Sequence, residues 1–159
     1  MRTNKLTLAA LFVALGTMTS HLVSIPIGVA RAFPVQHTIN VLSAILLGPT
    51  YTVLNAFAIS VLRNILGVGS LLAFPGSMIG ALLAGVFFTK THNKIYTLIG
   101  EVIGTGIIGA IVVYPVANFI LGQKVAALFF VVPFLVSAVV GGLAGYLFIK
   151  GLERKLDFK

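Results

Sequence analysis

Long apolar runs, broken only by isolated charges, prolines and glycines, constrain this chain more than any other feature. Of 159 residues, 58% are apolar and 9% charged, and the mean hydropathy is +1.11. A soluble domain carries about 25% charged residues, so too little polar surface exists here to coat a globule in water. That excludes soluble enzymes, disordered segments and nucleic-acid binders, and leaves an integral membrane protein. The formal net charge of +8 does not restore nucleic acid as a partner, because the basic residues lie between apolar runs and form no patch. The absence of cysteine excludes disulfides, thiolate chemistry and Cys-ligated metals. The N-terminus shows no signal-peptide cleavage pattern, and its first apolar run is long enough to stay in the membrane.

A spanning helix needs about 20 mainly apolar residues, fewer beside a polar cavity. Punctuation by Pro, Gly and charge predicts an all-α, single-domain membrane protein over residues 1–159. Its six transmembrane helices fall near 6–24, 35–48, 50–66, 76–89, 95–121 and 126–149, the second and fourth short at about 14 residues. With the N-terminus inside, Arg2, Lys5, Lys90, Lys94, Lys150, Arg154, Lys155 and Lys159 are cytoplasmic, whereas Arg31, Arg63 and Lys124 are outside. This bias predicts both termini in the cytoplasm. No G-x-x-x-x-G-K-[ST] run exists, and Gly67-Val68-Gly69 lacks the following lysine. Any ATP-driven function therefore needs a partner that hydrolyses it.

Small residues recur four apart at Ala10/Ala14, Gly76/Gly80, Ala81/Gly85, Gly100/Gly104 and Gly141/Gly145. Such pairs let helices approach closely in lipid. They fit packing within the bundle, while Ala10/Ala14, on a leading helix with few polar side chains, fits a partner protein equally well. Two predicted outer loops carry the same tripeptide, Ala32-Phe33-Pro34 and Ala73-Phe74-Pro75. Each proline fits the first turn of a helix, and the two phenylalanines either cap those helices or roof a cavity.

Polar residues gather nearby. Gln36, His37 and Asn40 share one side of the second helix, and Asn55, Arg63 and Asn64 lie on the third. Ser70 and Ser77 flank the second loop, and Tyr114 and Asn118 lie four apart on the fifth helix. Uncompensated polar groups at membrane depth should face the bundle interior or a wet cavity. Pro115 and Pro133 are expected to interrupt the fifth and sixth helices at matching depth and bend them around an outer cavity. Glu101, with Thr105 one turn on, fits structural pairing, a ligand contact or a proton carrier. Arg63 and His37 have no acid near them in sequence, which predicts a neutral or anionic ligand. Catalysis finds no support: His21, His37 and His92 have no carboxylate at ligand spacing, no nucleophile motif is present, and neither a metal nor a cofactor is expected.

In its six helices, lack of an ATPase and small-residue first helix, the chain resembles the substrate-binding S components of energy-coupling factor (ECF) vitamin transporters. Ala10-x-x-x-Ala14 matches that family's Ala-x-x-x-Ala motif. Within the group it is similar to the ThiW type. The matching stretches are Phe33-Pro34-Val35-Gln36-His37, Leu62-Arg63-Asn64, the run from Gly69 to Ala81, and Gly100-Glu101-Val102-Ile103-Gly104-Thr105-Gly106. The resemblance implies docking through Ala10 and Ala14 on a transmembrane coupling subunit that works with two ATPases, in the plasma membrane of a prokaryote. It also implies capture of the hydroxyethylthiazole precursor of thiamine from outside, followed by toppling and release inside. Phe33, Phe74 and Tyr114 suit a small aromatic ring. Gln36, His37, Asn40 and Asn118 suit its hydroxyethyl group, and Arg63, Asn64, Ser70, Ser77 and Glu101 complete the expected site. The alternatives are another small metabolite, such as the pyrimidine precursor or a phosphorylated thiazole, and a stand-alone channel or structural subunit.

Overall fold

A computed structural model describes residues 2–20, 22–27, 30–122, 124, 126 and 128–156. His21 and Lys159, named above, lie outside the described residues. The described residues form six helical rods: α1 (Arg2–Ser20), α2 (Pro34–Leu46), α3 (Pro49–Ile65), α4 (Ala73–Thr91), α5 (Lys94–Ile120) and α6 (Val131–Leu156). By length and composition, α4, α5 and α6 can each cross a membrane.

Several boundaries differ from the expected ones. The fourth helix has 19 residues rather than about 14, because a proline in the first turn loses no intrahelical bond and Pro75 is only its third residue. At its other end Lys90 and Thr91 extend it to His92, whose left-handed φ of 52° stops it. Pro133 does not interrupt a helix: α6 begins at Val131, so Pro133 also sits in a first turn. Pro115 does lie inside α5, which is α-helical over Lys94–Ile103 and Ala110–Pro115 and π-helical over Gly104–Gly109 and Val116–Ile120. A proline supplies no N–H to the carbonyl four residues back, which frees the chain to widen into a π turn. A short antiparallel hairpin, β1 (Ile25–Ile27) with β2 (Ala30–Ala32), joins α1 to α2 and departs from a purely helical fold.

Close approach between rods depends on missing side chains. A Cβ on Gly104 would lie 2.6 Å from Gly80 Cα, and one on Gly109 would lie 2.5 Å from Gly76 Cα. The backbones of α4 and α5 therefore touch. On α6 a Cβ at Gly145 would lie 2.9 Å from the Thr38 carbonyl oxygen, and Thr38 Oγ1 donates to the Gly141 carbonyl at 2.9 Å. Four of the small-residue pairs thus pack inside the bundle. Ala10 and Ala14 differ, for both are exposed while Ala9 and Phe12, on the other side of α1, are buried among Ile39, Leu42 and Ile59.

Candidate functional site

The start of α2, the end of α3, the first turns of α4 and α6, and the α–π junction of α5 enclose a cavity. Arg31, Phe33, Gln36, His37, Arg63, Ala73, Ser77, Thr105, Phe134 and Ser137 line it, around about 360 Å³ of empty space with the mouth included.

Helix phase decides which groups reach it. Ala73 and Ser77 are four apart on α4 and share its inner side, and Phe134 and Ser137 are three apart on α6. Pro34 opens α2 and pushes the residue before it out of the helical region. Phe33 is accordingly extended (φ −124°, ψ 81°), and its N–H donates to Ser137 Oγ at 2.8 Å. Its ring lies against the Arg63 guanidinium, 4.4 Å from carbon to centroid.

Arg63 is 2% exposed, and an ion at that depth is stable only with partners. Its Nη1 donates to Gln36 Oε1 at 2.7 Å and its Nη2 to the Val68 carbonyl at 3.3 Å. Gln36 Nε2 in turn donates to Ser60 Oγ at 2.9 Å, which lies 3.3 Å from Ser77 Oγ. Asn40 Nδ2 bonds the Ser77 carbonyl at 3.2 Å and Glu101 Oε1 at 3.0 Å. One hydrogen-bonded layer thus connects Arg63 on α3 to Glu101 on α5 through α2 and α4. The layer is not fully satisfied: Asn40 Oδ1, Arg63 Nε and Glu101 Oε2 are buried without a hydrogen-bond partner among the described residues.

The far end of that layer overturns one expectation. An acid does stand behind the pocket lining: Glu101 is fully buried, and its Oε1 lies 2.7 Å from His37 Nδ1. The same oxygen accepts from Thr105 Oγ1 at 3.2 Å. Sixty-four residues separate His37 from Glu101, so no spacing rule could pair them. Gly80 makes room for the carboxylate, because a Cβ there would lie 3.0 Å from each of its oxygens.

The other expected residues divide. Asn40 and Glu101 stand behind the lining rather than in it. Asn64 ties its own helix end to the next loop, donating to the Ser60 and Ser70 carbonyls at 2.8 and 3.2 Å. Ser70 is exposed and accepts from the Leu72 N–H at 3.2 Å. Phe74 packs edge-on against Phe57 with centroids 5.8 Å apart, outside the lining. Tyr114 and Asn118 are also outside it, and Asn118 Nδ2 donates to the Tyr114 carbonyl at 3.1 Å. Asn55 bonds Ser43 Oγ at 3.0 Å within the α2–α3 contact.

Arg31, Ala73, Phe134 and Ser137 line the cavity without having been singled out as site residues, and Thr105 was noted only as a neighbour of Glu101. Ser137, a hydroxyl within the long apolar run of α6, carried a readable signal; Ala73 and Phe134 carried none.

A family model described as thiamine-precursor transporter protein (ThiW) matches residues 6–155. No curated protein and no solved structure gave a match to the chain.

Proposed function

Because the chain belongs to the ThiW family of thiamine-precursor transporters, and is thus a multi-pass membrane transport protein, we propose that its cavity captures the hydroxyethylthiazole precursor of thiamine. In this reading the chain is the binding subunit of an ECF importer, and ATP is hydrolysed only by two partner subunits. All six rods cross the plasma membrane of a prokaryote, both termini are cytoplasmic and the cavity opens outward. The observation that carries the reading is the cavity itself. It is small, with the Phe33 ring and Arg63 on one side and His37, Ser77, Thr105 and Ser137 among its polar lining groups. An apolar wall with a few placed polar groups is what a small heteroaromatic alcohol requires.

Docking on the coupling subunit falls to the exposed small-residue side of α1, at Ala10 and Ala14. Titration of hydroxyethylthiazole into the purified chain, followed by calorimetry, tests the ligand; absence of heat and of competition with any retained small molecule overturns it. Replacing both alanines by Leu should abolish uptake in cells supplying the partner subunits while binding by the isolated chain stays intact. Unchanged uptake removes the docking assignment.

A further inference from the structure

His37 lines the cavity and is 7% exposed, so the one ring nitrogen left over by its partner decides what the cavity offers a ligand there. Nδ1 is committed to Glu101 Oε1 at 2.7 Å. That oxygen also receives Asn40 Nδ2 and Thr105 Oγ1, at 3.0 and 3.2 Å. Asn40 Nδ2 donates to it, and the single Thr105 hydrogen also has the Gly76 carbonyl within reach at 3.2 Å, so Oε1 is placed as an acceptor beside His37. His37 therefore carries its hydrogen on Nδ1 and donates it. Among the described residues Nε2 has no hydrogen-bond partner.

Charge counting sets the protonation state. Glu101 and Arg63 are the fully buried ionic groups of the layer, one of each sign, and Arg31 at the mouth is exposed to water. With His37 neutral the buried charges sum to zero. A second buried cation beside Arg63 would leave an uncompensated charge at membrane depth, which is costly. A neutral ring donating through Nδ1 presents the Nε2 lone pair to the cavity. The remaining cavity groups mainly donate: the Arg63 guanidinium has no acceptor, and the Ser137 hydroxyl hydrogen is unused by its bond from Phe33 N–H.

We infer that Glu101 is a positioning residue that holds His37 as a hydrogen-bond acceptor facing the cavity, so that the site selects a precursor with a free hydroxyl and rejects its ether and its phosphate ester. The hydroxyl donates to His37 Nε2, and a ring nitrogen or sulfur elsewhere on the ligand meets the donors. A phosphate ester has lost that hydroxyl and brings negative charge toward the side of the cavity backed by the Glu101 carboxylate. This inference rests on the thiazole reading for its probe but not for its logic.

The test uses the whole purified chain and two ligand series, hydroxyethylthiazole and the hydroxymethylpyrimidine alcohol, each with its methyl ether and its phosphate. For whichever series binds, the alcohol should exceed both derivatives by about tenfold or more, the scale of one well-placed hydrogen bond. Glu101→Leu removes the acceptor that holds the ring hydrogen on Nδ1 and releases it to Nε2, which turns the cavity atom into a donor. The alcohol-to-ether ratio should then fall to about one. A merely structural Glu101 would weaken all ligands together and leave the ratio unchanged, which overturns the positioning role. Nitrogen NMR of the wild-type chain with labelled histidine supplies a readout that needs no variant: Nε2 of His37 should appear unprotonated, and a protonated signal overturns the inference. Equal binding of alcohol and ether by the wild type, or tighter binding of the phosphate, also overturns it while the thiazole reading stands. Binding confined to the pyrimidine alcohol with the same ranking removes the thiazole reading and supports the inference. If no probe binds, both fall.

Discussion

The tripeptide Ala-Phe-Pro occurs twice, yet the two copies do opposite things. In Ala32-Phe33-Pro34 the phenylalanine lines the cavity against Arg63, and the alanine is buried in β2. In Ala73-Phe74-Pro75 the alanine lines the cavity, and the phenylalanine turns away to Phe57. The cause is where each helix begins. Pro34 is the first residue of α2, so Phe33 precedes the helix and is free of its phase. Pro75 is the third residue of α4, so Phe74 lies inside the helix, about 100° round from Ala73. With Ala73 and Ser77 facing the cavity, Phe74 cannot. A shared motif predicted a symmetric pair of lids, and a two-residue difference in helix start removed one of them.

Five substitutions break or sharpen this contrast. The largest effect is expected for Ala73→Phe, which drives a ring into a cavity now bordered by a methyl. Ligand binding measured by calorimetry should fall at least about a hundredfold, with overpacking costing about 1–3 kcal/mol of stability. Near-normal affinity would mean that α4 presents a different side.

Phe33→Ala comes next. It removes the ring under the Arg63 guanidinium and opens one wall, so a desolvated cation–π contact worth about 2 kcal/mol is at stake. Affinity should weaken about tenfold or more, mainly through faster dissociation in stopped-flow traces. An unchanged off-rate would reduce Phe33 to a helix cap.

Pro34→Ala should have a smaller effect, about threefold in affinity, by letting Phe33 sample the helical region that proline forbids it. Pro75→Ala is the internal control, because Phe74 keeps its helical phase with or without that proline, and its affinity should not change. Equal losses at the two prolines would erase the distinction drawn here.

The smallest effect on binding belongs to Phe74→Ala, under about twofold, since its ring packs on Phe57 and lies outside the cavity lining. The loss should appear instead in the melting temperature, where an edge-to-face pair contributes about 0.5–1.5 kcal/mol beyond its buried area. A binding loss matching that of Phe33→Ala would restore the two-lid picture.

The site was legible in part, and its residues show why. Gln36, His37 and Arg63 could be selected because a polar or charged side chain at membrane depth needs a reason to be there. Asn64 and Asn118 satisfy the same criterion, yet each donates to a backbone carbonyl one turn back in its own helix. Polarity marks a residue that must find a partner, and says nothing of whether the partner is a ligand, a neighbouring helix or its own backbone.

What the chain's sequence determined by itself is whatever depends on near neighbours or on composition. It set six apolar segments, first-turn prolines at α2 and α4, and glycines where backbones must touch. Those properties follow from hydropathy and local sterics, which act over a few residues. Only the tertiary structure decided that His37 meets Glu101 across sixty-four residues, that α4 carries Ala73 rather than Phe74 into the cavity, and that α6 begins late enough to make Pro133 part of its first turn. Each depends on the rotation and start of one helix relative to another. Rotation is set by how glycine and side-chain surfaces interlock across the bundle, a property of all the helices together and of none of them alone.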